Sequence, residues 1–158
     1  MIINIPAGPV QVINFDFETG AEPFLPDHVK PLGPAHIKGK LIKTDDGFKA
    51  EGEISYSFEF NCDLCIKLSQ YSKTVKFDEV FKKEYQEDAY QYEGEKIDLT
   101  QLVTDAIVLS LPTRLICKPN CKGLCPVCGT DRNEKDCGCK VEETGNNPFE
   151  ILKGIGGE

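Results

Sequence analysis

Eight cysteines stand in this chain, and six of them fall between residues 114 and 140. These six read Cys117-x3-Cys121-x3-Cys125-x2-Cys128-x8-Cys137-x-Cys139. A Cys-x2-Cys turn sets two sulfurs on one side of a tight loop, with backbone amides facing their charge. Two such corners complete the four-thiolate tetrahedron that Zn²⁺ favours. Cys125-Pro-Val-Cys128-Gly129 makes one corner, because glycine readily takes the positive φ that turns the chain back. Cys137-Gly-Cys139 makes the other, across a loop of eight residues. Cys125, Cys128, Cys137 and Cys139 are therefore the first candidate metal ligands. Cys62-Asp-Leu-Cys65 is a further corner. Its arithmetic partner is Cys117 with Cys121, which defines a second four-cysteine set. The competing reading of those four is reduced thiols, some packed as small hydrophobes. Four thiolates also suit iron.

Other chemistries fit less well. A thioredoxin-like pair sits at a helix N-terminus after a strand, whereas Cys62 and Cys65 lie between two β-patterned segments. Cys121-x3-Cys125-x2-Cys128 has the spacing of the radical S-adenosylmethionine cluster, but that chemistry is housed in a large α/β barrel. His28 and His36 have no nucleophile beside them and read as surface or structural residues. A non-enzyme is expected.

The chain has 158 residues, 40% hydrophobic and 28% charged, about one domain's worth. No apolar run approaches the ~20 residues of a membrane span, and the first residues lack a signal peptide's basic start and apolar core. We expect a cytoplasmic protein without membrane association, in which cysteines bind metal in preference to forming disulfides. A formal charge of -8 opposes generic polyanion binding.

The elements that must position the cysteines are legible in the hydrophobic pattern. From Phe48 to Cys62 the even positions are apolar or small and the odd ones mostly polar, which predicts a long strand with one buried face. Asp46-Gly47 before it predicts a type I′ turn. That turn would set Leu41 opposite Gly52, Ile37 opposite Tyr56 and Lys40 opposite Glu53. Tyr71, Val75, Phe77 and Phe81 share one parity and predict a third strand, with a bulge implied by Ile66 and Leu68. Residues 84–96 read as a solvated loop. Asp98 reads as the N-cap of a helix over 98–110 that Pro112 stops. The Pro-rich segment 1–34 predicts one or two short edge strands, and 141–158 reads as a tail in which 147–152 form one amphipathic turn. The expected fold is α+β in a single domain, 1–158. A curved antiparallel β-meander with one packed helix (36–112) leads into a Cys-rich zinc knuckle (114–140).

Charge is unevenly spread. Residues 114–140 carry six Lys/Arg against three Asp/Glu, a formal +3, which one zinc–thiolate site of about -2 lowers to about +1. Residues 78–98 hold eight Asp/Glu and three Lys/Arg.

Cys62-x2-Cys65 after a long strand, Ile97-Asp98-Leu99 opening a helix and Leu109-Ser-Leu111-Pro112 closing it are joined by Cys121-Lys-Gly-Leu-Cys125-x2-Cys128-Gly129 and Asn147-Pro148-Phe149. Together they resemble the YceD family, most firmly over 50–150. The resemblance implies a bacterial cytoplasmic or organellar protein needed for accumulation of large-subunit ribosomal RNA in 50S assembly. It also implies a ribosomal protein or an assembly intermediate as partner; for direct rRNA contact, the other route, the local basic charge makes 114–140 the candidate segment. The alternative is a redox-responsive thiol protein or metallochaperone.

Overall fold

The computed structural model describes residues 1–8 and 11–140. In chain order its elements are β1 (Ile2–Asn4), β2 (Val12–Thr19), a 3-10 turn (Glu22–Phe24), β3 (Lys30–Pro31) and β4 (Ala35–Lys43). Then come β5 (Gly47–Asn61), β6 (Leu68–Lys82), β7 (Tyr90–Gln91), β8 (Lys96–Asp98) and the helix α1 (Thr100–Ser110). The expected turn at 147–152 lies outside the described residues. Among the described residues, no helix is long and apolar enough to cross a membrane.

Strict alternation produces the long strand. In β5 the even residues Phe48, Ala50, Ile54, Tyr56, Phe58 and Phe60 are buried, while the odd ones from Lys49 to Glu59 stay half-covered. The sheet runs β2-β4-β5-β6-β7, with β3 pairing β5 beyond the end of β4, and β1 and β8 form a separate two-stranded ribbon. Its pairs are antiparallel except β6 with β7, so the sheet is mixed and not wholly antiparallel.

The β4–β5 register differs from the expected one by two residues. Leu41 faces Ala50, Ile37 faces Ile54 and Lys40 faces Glu51. The turn centres on Asp45-Asp46, where Thr44 N donates to Gly47 O at 3.0 Å. Neither aspartate has a positive φ, so the turn is not type I′. Gly47 instead enters β5, where a Cβ would lie 2.1 Å from the Phe81 carbonyl oxygen. A two-residue shift keeps every side chain on its face, so apolar patterning alone cannot separate the two registers. Opposite charges still meet on the open face, as Lys38–Glu53 (2.8 Å) and Lys40–Glu51 (3.4 Å).

The β5–β6 pairing is unbroken from Gly47↔Lys82 to Asn61↔Leu68, with no bulge. The parity change is absorbed in the turn, where Ile66 takes a left-handed φ of 61°. Residues 84–96 are more than a solvated loop: β7 adds to the sheet, Tyr92 is buried, and Tyr90 Oη donates to Asp105 Oδ2 of α1 at 2.9 Å. The acidic residues around them masked these two aromatic anchors.

α1 buries Leu102, Val103 and Ile107 against the sheet. It begins at Thr100, two residues later than expected, because Asp98 belongs to β8. Leu99, not Asp98, takes the N-cap position; from one residue earlier the Asp98 carboxylate accepts from Thr100 N at 2.9 Å and from the Met1 amino group at 3.0 Å. At the other end Lys73 Nζ donates to Ser110 O at 2.5 Å, placing a cation at the helix's negative pole.

Candidate metal centre

The β5–β6 turn and the chain after α1 meet at one end of the long hairpin. Asp63 ties them: its amide donates to Leu115 O (2.8 Å), and its carboxylate accepts from Leu115 N (2.7 Å). Leu124 N donates to Leu64 O at 2.8 Å. Through these bonds Cys117 and Cys121 arrive beside Cys62 and Cys65. The four sulfurs lie within 4.8 Å of one another, as do those of Cys125, Cys128, Cys137 and Cys139. All eight cysteines are unpaired in disulfides.

The donor geometry fits a tetrahedral ion. Zn–S bonds of ~2.3 Å require a sulfur–sulfur edge of about 3.8 Å. Cys62 Sγ lies 3.8 Å from Cys121 Sγ, and Cys65 Sγ 3.7 Å from Cys117 Sγ. Cys117 N and Asn133 Nδ2 donate to the sulfurs of Cys62 and Cys121, at 3.4 and 3.5 Å.

The two Cys-x2-Cys corners are the same backbone structure. In one, Ile66 N donates to Cys62 O (2.8 Å) and Cys62 N to Lys67 O (2.9 Å). In the other, Gly129 N donates to Cys125 O (2.8 Å) and Cys125 N to Thr130 O (2.8 Å). The residue after the second cysteine is left-handed in both, φ 61° at Ile66 and 73° at Gly129. Aligning the two corners would have marked Ile66 as the position a glycine normally fills.

The thiols divide within each set. Burial works to raise the Cys62 thiol, but the amides of Cys117, Cys65 and Leu64 outweigh it and bring it down to about 6. Burial likewise opposes the lowering of Cys121 by the Gly123 amide and the Asn133 side chain. Burial, then the sulfurs of Cys65, Cys121 and Cys62, push Cys117 up to about 12. Against the Lys67 amide, burial and the sulfurs of Cys62 and Cys121 also raise Cys65. In the other set the Thr130 hydroxyl and amide bring Cys128 down to about 6, and the amides of Cys128 and Val127 lower Cys125. Cys128 and Cys137 push Cys139 up to about 12. Cys137 rises too, because the sulfur of Cys125 and burial outweigh the Cys139 amide. Four sulfurs this close repel one another's charge, and a divalent cation at their centre favours all four thiolates.

Lys67 joins the two centres. Its ammonium reaches Asp131 Oδ2 at 3.0 Å and Glu134 Oε1 at 2.6 Å. The amide of Asn133 and then Lys67 hold the Asp131 carboxyl at about 2. Asn133 also accepts from Lys122 N at 2.9 Å, so one side chain touches both halves of the module. Asp63, Lys67 and Asn133 carry no local signal in the sequence, since their partners are distant in the chain, and Ile66 shows there only as a break in parity. Arg114, Lys118, Lys122, Arg132, Lys135 and Lys140 are exposed, and among the described residues none pairs with a carboxylate.

A β-rich α+β fold with two four-cysteine sets near the end of its long hairpin defines a sheet protein with two candidate metal centres. The family model described as Large ribosomal RNA subunit accumulation protein YceD matches residues 50–156, and the chain belongs to that family. Over 62 residues it is 39% identical to the Large ribosomal RNA subunit accumulation protein YCED homolog 1, chloroplastic, of Zea mays, covering 38% of this chain and 20% of the relative. The protein of the same name in Arabidopsis thaliana is 35% identical over 51 residues, 32% of this chain and 16% of the relative. An uncharacterized protein of Mycobacterium tuberculosis strain H37Rv is 54% identical over 35 residues, 22% of this chain and 17% of the relative. The chain thus spans a fifth or less of these relatives' length. No solved structure matches it.

Proposed function

We propose that this chain is a non-catalytic accessory factor in ribosome biogenesis. It supports accumulation or maturation of large-subunit ribosomal RNA during 50S assembly, in the cytoplasm. The observation that carries this reading is the family match over residues 50–156, which takes in both cysteine sets. Zinc is the proposed resident ion in both, because all eight donors are cysteine sulfurs, the four of each set within 4.8 Å of one another, and Zn²⁺ brings no redox chemistry of its own. Its part is to hold the segment after α1 against the hairpin.

The proposed partner is a basic ribosomal protein. Residues 78–98 are acidic, and Glu79, Glu87, Asp88, Tyr90 and Asp105 line a recess of about 300 Å³ that suits a lysine or arginine. The Cys-rich end is a weaker site for phosphates. Its formal +3 falls to about -1 once two zinc–thiolate centres, each about -2, are in place. Association with assembling 50S particles tests the choice. Glu87→Lys with Glu93→Lys should weaken it, while Lys118→Ala with Lys122→Ala should leave it unchanged. The reverse result assigns the contact to RNA, and no association in any form of the protein refutes the reading.

A further inference from the structure

The two cysteine sets are unequal in ways that their shared chemistry hides. Cys62 and Cys65 are 1% and 4% exposed, and their partners Cys117 and Cys121 are half-covered. That centre is also closed by bonds independent of any metal, those of Asp63 with Leu115 and of Leu64 with Leu124. In the other set Cys125 is buried, but Cys128 and Cys139 are exposed. Residues up to Lys135 are anchored by Arg132 N to Gly123 O (3.0 Å), Lys135 N to Asp131 O (3.1 Å) and the Lys67 ion pairs. Among the described residues, 136–140 make no backbone–backbone hydrogen bond, and apart from contacts among the cysteines themselves their bond is Gly138 N to Asp136 Oδ1, within the segment itself. The ligands Cys137 and Cys139 therefore depend on the metal for their position. A segment with so few contacts opens at little cost.

We propose that the Cys125/Cys128/Cys137/Cys139 centre is a peroxide-labile zinc site, and that the Cys62/Cys65/Cys117/Cys121 centre is a permanent staple. This rests on the zinc reading above. The Cys128 thiolate attacks one oxygen of hydrogen peroxide, the O–O bond breaks, hydroxide leaves, and Cys128 becomes a sulfenic acid. The Cys139 thiolate then attacks that sulfur, the S–O bond breaks, a second hydroxide leaves, and a Cys128–Cys139 disulfide forms. Two electrons pass from the two sulfurs to one peroxide, and two protons turn the hydroxides to water. Zn²⁺, left with Cys125 and Cys137, dissociates. Residues 136–140 are released, while the knuckle over 125–135 stays docked through Lys67 and Gly123. A thiol reductant and fresh Zn²⁺ restore the centre.

The test uses the full chain, reconstituted anaerobically with Zn²⁺ and treated with hydrogen peroxide. Zinc release is followed with a chromogenic chelator, and disulfides are mapped by mass spectrometry of non-reduced peptides. One of two zinc ions should leave roughly tenfold or more faster than the other. The fast phase should accompany a Cys128–Cys139 disulfide, while Cys62, Cys65, Cys117 and Cys121 remain free thiols. Cys139→Ser should abolish the fast phase and keep one firmly held zinc. Release of both ions at one rate, resistance of both, or a first disulfide anywhere else overturns the inequality while the metal reading stands. A chain that takes up no zinc overturns both.

Discussion

Phe58 and Glu59 are neighbours in β5 with opposite surroundings. Phe58 is fully buried, its ring 5.2 Å from that of Tyr71, whereas Glu59 lies on the open face near Gln70. Phe58→Ala should cost ~3–5 kcal/mol through lost burial and the cavity left behind. Glu59→Ala should change stability by no more than about 0.5 kcal/mol. Equal losses in denaturant titrations would contradict a one-faced strand. Ile66 is a residue-scale anomaly of another kind, β-branched, 65% exposed and left-handed. Little packing is lost by removing its side chain. The left-handed conformation costs an L-residue about 1–2 kcal/mol, more than the entropy a glycine loses. Ile66→Gly should therefore stabilise the protein by about 0.5–1 kcal/mol, visible as a higher denaturation midpoint. A lower midpoint would mean that the exposed isoleucine makes contacts the fold needs.

At the scale of elements, the Lys67–Asp131 pair is the bond between hairpin and second knuckle that a pH titration can reach. Asp131 is held at about 2, below the 3.8 of a free aspartate. A depressed folded-state pKa means that this stabilisation is complete above pH ~4 and drains away as pH falls from there toward 2. Lys67→Met should raise the Asp131 pKa in a carboxyl-detected NMR titration. The shift should be partial, because the Asn133 amide remains in place. An unmoved Asp131 would show that Lys67 is bound elsewhere in solution. The register of β4 on β5 belongs to this scale as well. The shift of two residues keeps Ile37, Leu41, Ala50 and Ile54 on the inner face, so the choice rests on backbone fit where Gly39 faces Gly52, since a Cβ on either would lie 2.3 Å from a carbonyl oxygen of the other strand.

For the whole molecule, metal removal should divide the chain in two. The sheet and α1 share an apolar core from Phe15 and Ile37 through Phe58 and Phe81 to Val103 and Ile107. Residues 117–140 contribute little to it beyond Cys117, Cys121 and Leu124 at its margin. A strong chelator should therefore leave the far-ultraviolet circular dichroism largely intact while amides of 117–140 lose protection from hydrogen exchange. It should strip the exposed Cys128 and Cys139 centre before the covered one. Loss of the sheet along with the metal would show that the ions are needed for the fold as a whole.

Period-two alternation marked β5 and β6 and their inner faces from local residues alone, because a half-buried strand needs no distant information to declare itself. The spacing of Cys125, Cys128, Cys137 and Cys139 was equally local, since a short loop must close on itself. Pairing Cys62 and Cys65 with Cys117 and Cys121 followed from counting, and only the tertiary structure brings the four sulfurs together, through Asp63 and Leu115. The mixed sheet, the burial of Tyr92 within an acidic stretch and the place of Asn133 between the two centres were likewise settled only there. Each depends on contacts between residues far apart in the chain, whose energies have no local signature. Register is the intermediate case: alternation restricts it to shifts of two, and the close approach of backbones at the facing Gly39 and Gly52 selects among them.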